Sequence, residues 1–268
     1  MRRSFVGIAI LVALLISFHH SHADTGKQSR ADALSRFVFE HGAITRGDPS
    51  RRQLALVFTG DEFGDGGAMI SSALKRHKLK ASFFFTGRFY RNPEFKKLIL
   101  ALKADGHYLG AHSDAHLLYC DWNDRNRLLV NREEFVSDLK RNYEAMAAFG
   151  VSKSDAKFFL PPFEWYNQTI SQWTTELNLQ LINFTRGTRS NADYTTPMES
   201  NYVDSKTILA SIKSYEAGDA DGLNGFILLL HVGADPARTD KFYNRLDELL
   251  EFLKSLKYRM LRVDELLP

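Results

Sequence analysis

The sequence predicts an α/β domain with parallel strands, and three observations carry that prediction. Apolar, β-rich runs alternate with segments of helical spacing. The segments between runs are long enough for the crossovers that parallel neighbours need. Polar residues recur at the C-terminal ends of the apolar runs, the face where parallel barrels gather catalytic groups.

The elements follow in chain order. Residues 1–23 have the make-up of a secretory signal peptide: Arg2 and Arg3 form a basic start, Phe5 to Phe18 an apolar run too short to span a bilayer, and Ser21-His22-Ala23 a small-x-small cleavage site. The mature chain then starts at Asp24, exported to the periplasm or secreted, with no membrane span left after cleavage. Residues 24–52, which include "RADALSRFVFEHGAITRGDPSRRQ", are expected to form a short helix and a turn-rich connection. From 53 to 268 the chain is expected to be one catalytic domain. Strands are expected at "LALVFT", "ASFFFTG", "HYLGAH", "KFFLPP", "LQLINF", "GFILLLH" and "YRMLRV". Helices are expected at "GGAMISSALKRHK", "PEFKKLILALKAD", "REEFVSDLKRNYEAMAAFG" and "DKFYNRLDELLEFLKSLK".

Composition narrows the function. The 268 residues are 44% hydrophobic and 25% charged, enough apolar material for a sizeable core. The net charge of +3 includes the two signal-peptide arginines, which leaves no electrostatic case for nucleic acid. Cys120 is the only cysteine, so no intramolecular disulfide forms and no cysteine marks a lipid-attachment site.

Asp61-Glu62, His112, Glu164, Asp193 and His231 each follow a predicted strand, so residues distant in sequence are expected to converge. In "YLGAHSDAHLLYCDW", His112 ends a strand and His116 lies in the loop after it; that loop must curl to bring the rings together. Two neutral imidazoles and a carboxylate make a facial metal site with positions open for water and substrate. Asp61-Glu62 offers the carboxylate. Adjacent acids on an extended segment point to opposite sides, so one can bind metal while the other stays free as a base, a division that suits hydrolysis by metal-activated water. Ser113 reads as a brace for the loop, and "FGDGG" around Asp65 as a glycine-rich turn. Tyr119, Trp122, Trp165 and Tyr166 offer stacking surfaces for sugar rings.

These residues resemble the polysaccharide deacetylases of the NodB-homology type, over about Leu54 to Leu267 and in the family's order. Thr59-Gly60-Asp61-Glu62-Phe63 is similar to the first motif, Thr-Phe-Asp-Asp-Gly, and His112-Ser113-Asp114-Ala115-His116 matches the second, His-Ser/Thr-x-x-His. Leu160-Pro161-Pro162-Phe163-Glu164 resembles Arg-Pro-Pro-Tyr/Phe-Gly, "LLLH" ending at His231 matches Leu-x-Leu-His, and Asp193-Tyr194 is loosely similar to an Asp-Trp pair.

The resemblance implies a distorted (β/α) barrel with about seven parallel strands. It also implies a hydrolase that removes N- or O-linked acetyl groups from a polysaccharide or oligosaccharide with a divalent metal, zinc first and Co2+ or Ni2+ as alternatives. By position it implies Asp61 as general base, Glu62, His112 and His116 as metal ligands, and His231 as general acid oriented by Asp193. The backbone N–H of Phe163 would face the oxyanion, with Trp122, Trp165 and Tyr166 beside the substrate. Three departures stand out: Glu62 replaces an aspartate, Leu160 an arginine that would pair with the base, and Glu164 a glycine. Arg186 or Arg189 could supply the missing cation, with surface solvation the alternative for either one. The alternative is a non-catalytic carbohydrate-binding protein on the same fold.

Overall fold

The computed structural model describes residues 34–267; the expected signal peptide and residues 24–33 lie outside the described residues. The body from Val38 onward runs β1 (Val38–Glu40), β2 (Ala43–Arg46), β3 (Gln53–Gly60), α1 (Gly67–Arg76), β4 (Ser82–Phe85), α2 (Gly87–Arg91), α3 (Lys96–Ala104), β5 (Tyr108–Ala111) and α4 (Arg132–Ala147). It continues through β6 (Phe158–Phe159), α5 (Gln168–Glu176), β7 (Gln180–Leu181), α6 (Ser205–Gly218), β8 (Ile227–His231), α7 (Leu246–Ser255), β9 (Arg259–Leu261) and α8 (Val263–Leu266).

Seven strands form one parallel sheet in the order β7-β6-β5-β4-β3-β8, with β9 paired to the start of β3. The sheet curls into a half-barrel, the distorted (β/α) barrel that the motifs imply. All eight residues of β3 are buried, as expected of a central parallel strand covered on both faces. Phe58, Phe83, Phe84 and Phe85 fill the interior at 1% exposure or less, each contributing about 1.5–3 kcal/mol of burial.

Each expected strand is present, but β6 and β7 are two residues long. Pro161 and Pro162, which lack a backbone N–H, end β6. β7 ends because the chain turns to other partners: Asn183 donates its backbone N–H to Ile44 and Thr185 to Ile227. The four expected helices are α1, α3, α4 and α7; α2 and α8, at five and four residues, are too short for a helical period to register, and α5 and α6 were not anticipated. Among the described residues no helix is long and apolar enough to cross a membrane.

The short helix expected after residue 24 lies mostly outside the described residues, and the turn-rich connection expected after it forms an antiparallel hairpin from Val38, β1 with β2. Gly42, at φ 82°, makes the turn, a conformation that only glycine adopts freely. β2 bridges the two flanks of the sheet: Ile44 pairs with Ile182 and Arg46 with Phe226. Arg46 adds side-chain bonds to the carbonyls of Asn224 (2.7 Å) and Gly222 (2.8 Å).

Candidate active site

The C-terminal ends of the parallel strands open into a cavity of about 830 Å³, lined in part by Asp61, Glu62, His112, His116, Glu164 and His231. The sheet therefore brings together residues from four separate motifs. Gly60 sets the entrance of β3. A Cβ there would sit 2.7 Å from Val232 and 2.9 Å from Phe85, so the strand passes between them only without a side chain.

Asp61 is held by three donors. Thr86 Oγ1 gives 2.8 Å and Arg88 Nε 3.1 Å to one carboxylate oxygen, and Arg88 Nη2 gives 2.5 Å to the other. This two-pronged arrangement fixes both the position and the plane of the carboxylate. Thr86 follows β4 and caps α2 by accepting the Phe89 N–H, and Arg88 lies in the first turn of that helix. The cation that Leu160 fails to supply is thus Arg88, and the expectation for Arg186 or Arg189 is corrected. Arg186 reaches Glu40 at 3.6 Å. The Arg189 backbone is fastened to Ser211, and neither residue has a contact with Asp61. Leu160 is itself fully buried.

His112 and His116 meet with their ring centroids 5.1 Å apart. His112 Nδ1 donates to the Leu160 carbonyl at 2.8 Å, which fixes the tautomer and leaves Nε2 unbonded. The curl between them costs two left-handed residues, Ser113 (φ 74°) and His116 (φ 54°). Asp138, fully buried on α4, holds that curl by accepting from Ser113 Oγ (2.6 Å), Asp114 N (3.1 Å), Ala115 N (3.0 Å) and Tyr119 OH (3.2 Å). One turn further along α4, Asn142 accepts the His112 N–H at 2.9 Å. Ser113 is a brace, as expected.

Burial, and after it the neighbouring His116, hold His112 down to about 3. Burial, then Arg88, hold His116 down to about 4. Both rings are therefore neutral near pH 7, the form that binds metal. The two imidazoles fit a divalent ion, but the third donor stands apart. Glu62 lines the cavity with its side chain two-thirds exposed, facing Arg88 at 4.0 Å. Asp61 is the acid nearest His116, at 4.0 Å. Among the described residues no three His, Cys, Asp or Glu side chains converge closely enough to hold an ion.

His231 closes the far side. Asp193 accepts its backbone N–H at 2.9 Å and its Nδ1–H at 2.6 Å, so one carboxylate fixes both ring and strand end. Burial pulls the imidazole down, but Asp193, aided by Glu164, outweighs it and holds His231 above its ordinary value. Glu164 is itself pushed up to about 7 by burial, with His231 opposing. It follows Phe163 in a pair of left-handed residues, at φ 57° and 52°.

Of the residues expected at the oxyanion and sugar positions, Phe163 and Trp122 line the cavity at 42% and 54% exposure. Trp165 and Tyr166 are not among its lining. Trp165 donates to the Asp121 carbonyl, lies under Arg125 at 3.5 Å, and backs Trp122 at 5.5 Å. Tyr166 is 1% exposed and donates to the Glu40 carbonyl; Tyr119 is likewise core. Cys120 is buried and free, and Asp65 ties a turn through Tyr243, Lys241 and the Ala234 N–H.

Comparison with known proteins finds a family match. The polysaccharide deacetylase family profile matches residues 47–182. The peptidoglycan-N-acetylmuramic acid deacetylase PdaA of Bacillus subtilis is 27% identical over 166 residues, 62% of this chain and 57% of the relative. A peptidoglycan-N-acetylglucosamine deacetylase of Bacillus cereus is 23% identical over 146 residues, 54% of this chain and 49% of the relative. The chain thus spans about half the length of these curated relatives. Among solved structures, a CE4 family pseudoenzyme from Bacillus anthracis superposes with a TM-score of 0.65 at 17% identity, covering 86% of this chain and 70% of that one, a likeness of fold.

Proposed function

The chain belongs to the polysaccharide deacetylase family, and from that premise we propose that it is an extracytoplasmic, metal-dependent hydrolase removing acetyl groups from an acetylated glycan. One observation carries the reading. Asp61 and His231, each fixed by its own partner, line the same cavity as His112 and His116. A base held on one side of a bound acetyl group and an acid on the other is what hydrolysis of an amide or ester requires.

In this scheme Asp61 takes a proton from the attacking water, with Arg88 and Thr86 orienting its free lone pairs. Water adds to the acetyl carbonyl, and the backbone N–H of Phe163 faces the oxyanion that forms. His231, protonated and stabilised by Asp193, gives its proton to the departing amine or alkoxide as the bond to the acetyl carbon breaks. Acetate and a free amino or hydroxyl group result. His112 and His116 would hold a divalent cation, zinc foremost, with Glu62 turning inward as the third ligand. When bound, that cation polarises the acetyl carbonyl and lowers the pKa of water. The relatives' names make a cell-wall glycan the first substrate to try, and the signal-like residues 1–23 support action outside the cytoplasm.

The test is acetate release from a panel of N- and O-acetylated glycans, with elemental analysis of the same preparation. Turnover that survives exhaustive chelation would remove the metal from the scheme. Tight glycan binding without acetate release, in metal-loaded protein, would favour the non-catalytic alternative, which the outward-turned Glu62 specifically supports.

A further inference from the structure

The charge of the cavity runs against that of the chain. The sequence is formally +3, yet the cavity is lined by five acids, Asp61, Glu62, Glu164, Glu199 and Asp235; its described lining has no lysine or arginine, and His231 is offset by Asp193 and Glu164. Arg88 balances Asp61 and lies 4.0 Å from Glu62. Glu199 and Asp235, on the loops after β7 and β8, have no cation among the described residues. Their side chains accept only the backbone N–H groups of Thr196 (2.6 Å) and Ala237 (2.7 Å).

Two independent features mark the same space as built for a ligand. Thr59 lines it at 1% exposure, and its Oγ1 has no hydrogen-bond partner. A buried hydroxyl without a partner is costly, so a group supplied from the cavity is its natural complement. Trp122, Phe163 and Tyr194, all 42–54% exposed, stand around the opening, with Tyr194 4.8 Å from the His231 ring. Half-exposed aromatic faces suit sugar rings.

We propose that this cavity takes an N-acetylated amino-sugar chain that already carries free amino groups, in preference to glycans bearing carboxylates. The inference rests on the deacetylase reading and narrows its substrate. A uronate or lactyl carboxylate entering here would shed water opposite fixed like charges, whereas an ammonium meets opposite ones. The reaction itself generates that cation. Water adds to the amide carbonyl, the C–N bond breaks, acetate departs, and the released amine takes up a proton. Glu199 and Asp235 then favour chains deacetylated at neighbouring sugars.

The test compares three oligosaccharides of equal length: fully N-acetylated glucosamine, a mixed glucosamine/N-acetylglucosamine oligomer, and an N-acetylglucosamine oligomer alternating with glucuronate. At low salt, kcat/KM per acetyl group should be roughly tenfold higher for the mixed oligomer than for the neutral one, expressed through KM, and lowest for the uronate oligomer. The preference should fade in 0.5 M salt. It should also fade in the double variant Glu199→Gln, Asp235→Asn, whose amides can keep the backbone contacts. Equal kcat/KM for all three, a preference for the uronate oligomer, or a preference that the double variant leaves intact would overturn the inference. If none releases acetate, the deacetylase reading fails by itself. Dissociation constants of the same oligomers, read from tryptophan fluorescence, then decide the charge preference alone.

Discussion

Replacing Arg88 by alanine tests the base most directly. The substitution removes two of the three donors on Asp61 and leaves the Thr86 bond in place. Hydrogen bonds to a charged group are worth about 1.5–3 kcal/mol in protected settings. Here the Arg88 side chain is 47% exposed and Asp61 19%, so solvent screening brings the loss of transition-state stabilisation to about 1–2 kcal/mol. At 1.36 kcal/mol per factor of ten, that is roughly a 5- to 30-fold fall in kcat/KM. Because Asp61 acts on water rather than on the sugar, the fall should lie in kcat. Arg88→Lys should recover only part of it, since an ammonium restores charge but not the planar fork. Arg186→Ala and Arg189→Ala should leave the kinetics untouched. Steady-state acetate release from one soluble oligomer, with circular dichroism to confirm folding, settles the matter. An unchanged kcat in Arg88→Ala would refute the assignment of Arg88 as the residue that orients the base.

Other outcomes follow from the same geometry. Asp138→Ala strands four donors around the histidine loop and should cost about 2–4 kcal/mol in urea denaturation; a loss below about 0.5 kcal/mol would contradict its bracing role. In the proposed scheme His231 acts while protonated, so activity should be lost as pH rises through its pKa. Asp193 holds that pKa up, so Asp193→Asn should move the alkaline limb of kcat/KM to lower pH, and an unmoved limb would show that Asp193 only positions the ring. His112→Ala and His116→Ala should each lower bound zinc and turnover together, as measured by elemental analysis and acetate release, whereas a variant that loses turnover but keeps its zinc would leave the metal to other ligands.

The strands were legible because a buried parallel strand is a nearly continuous apolar run, and "LALVFT" and "GFILLLH" admit little else. The histidine pair and His231 were legible because each interrupts or ends such a run. Arg88 was not, although its position offered a signal: "FTGR" ends a predicted strand as the other motifs do, and β4 was one of two strand ends left without a role. Alternation along an extended segment set Asp61 and Glu62 apart and the family resemblance chose between them, but β3 stops at Gly60, so the alternation lapses where it was applied. Tyr166 lies beside a motif in sequence, yet its ring packs toward the hairpin, since neighbours along a chain need not share a face. The hairpin itself has strands of three and four residues, too short for alternation to register.

That hairpin has a consequence for the order in which the molecule assembles. Its strand β2 stitches residue 46 to residues 222–226, contacts separated by almost the whole domain. Loop-closure entropy makes so distant a seam slow to form and gives it no support until the intervening βα units have collapsed. Arg46, at the end of β2, therefore waits for the residues that lead into β8, which carries His231, before its own seam can close. A growing chain stays unlatched through that wait, because this seam cannot close while the second half of the domain is still arriving. The latch and His231 are delivered by one stretch of chain, so the seam and this wall of the cavity form together.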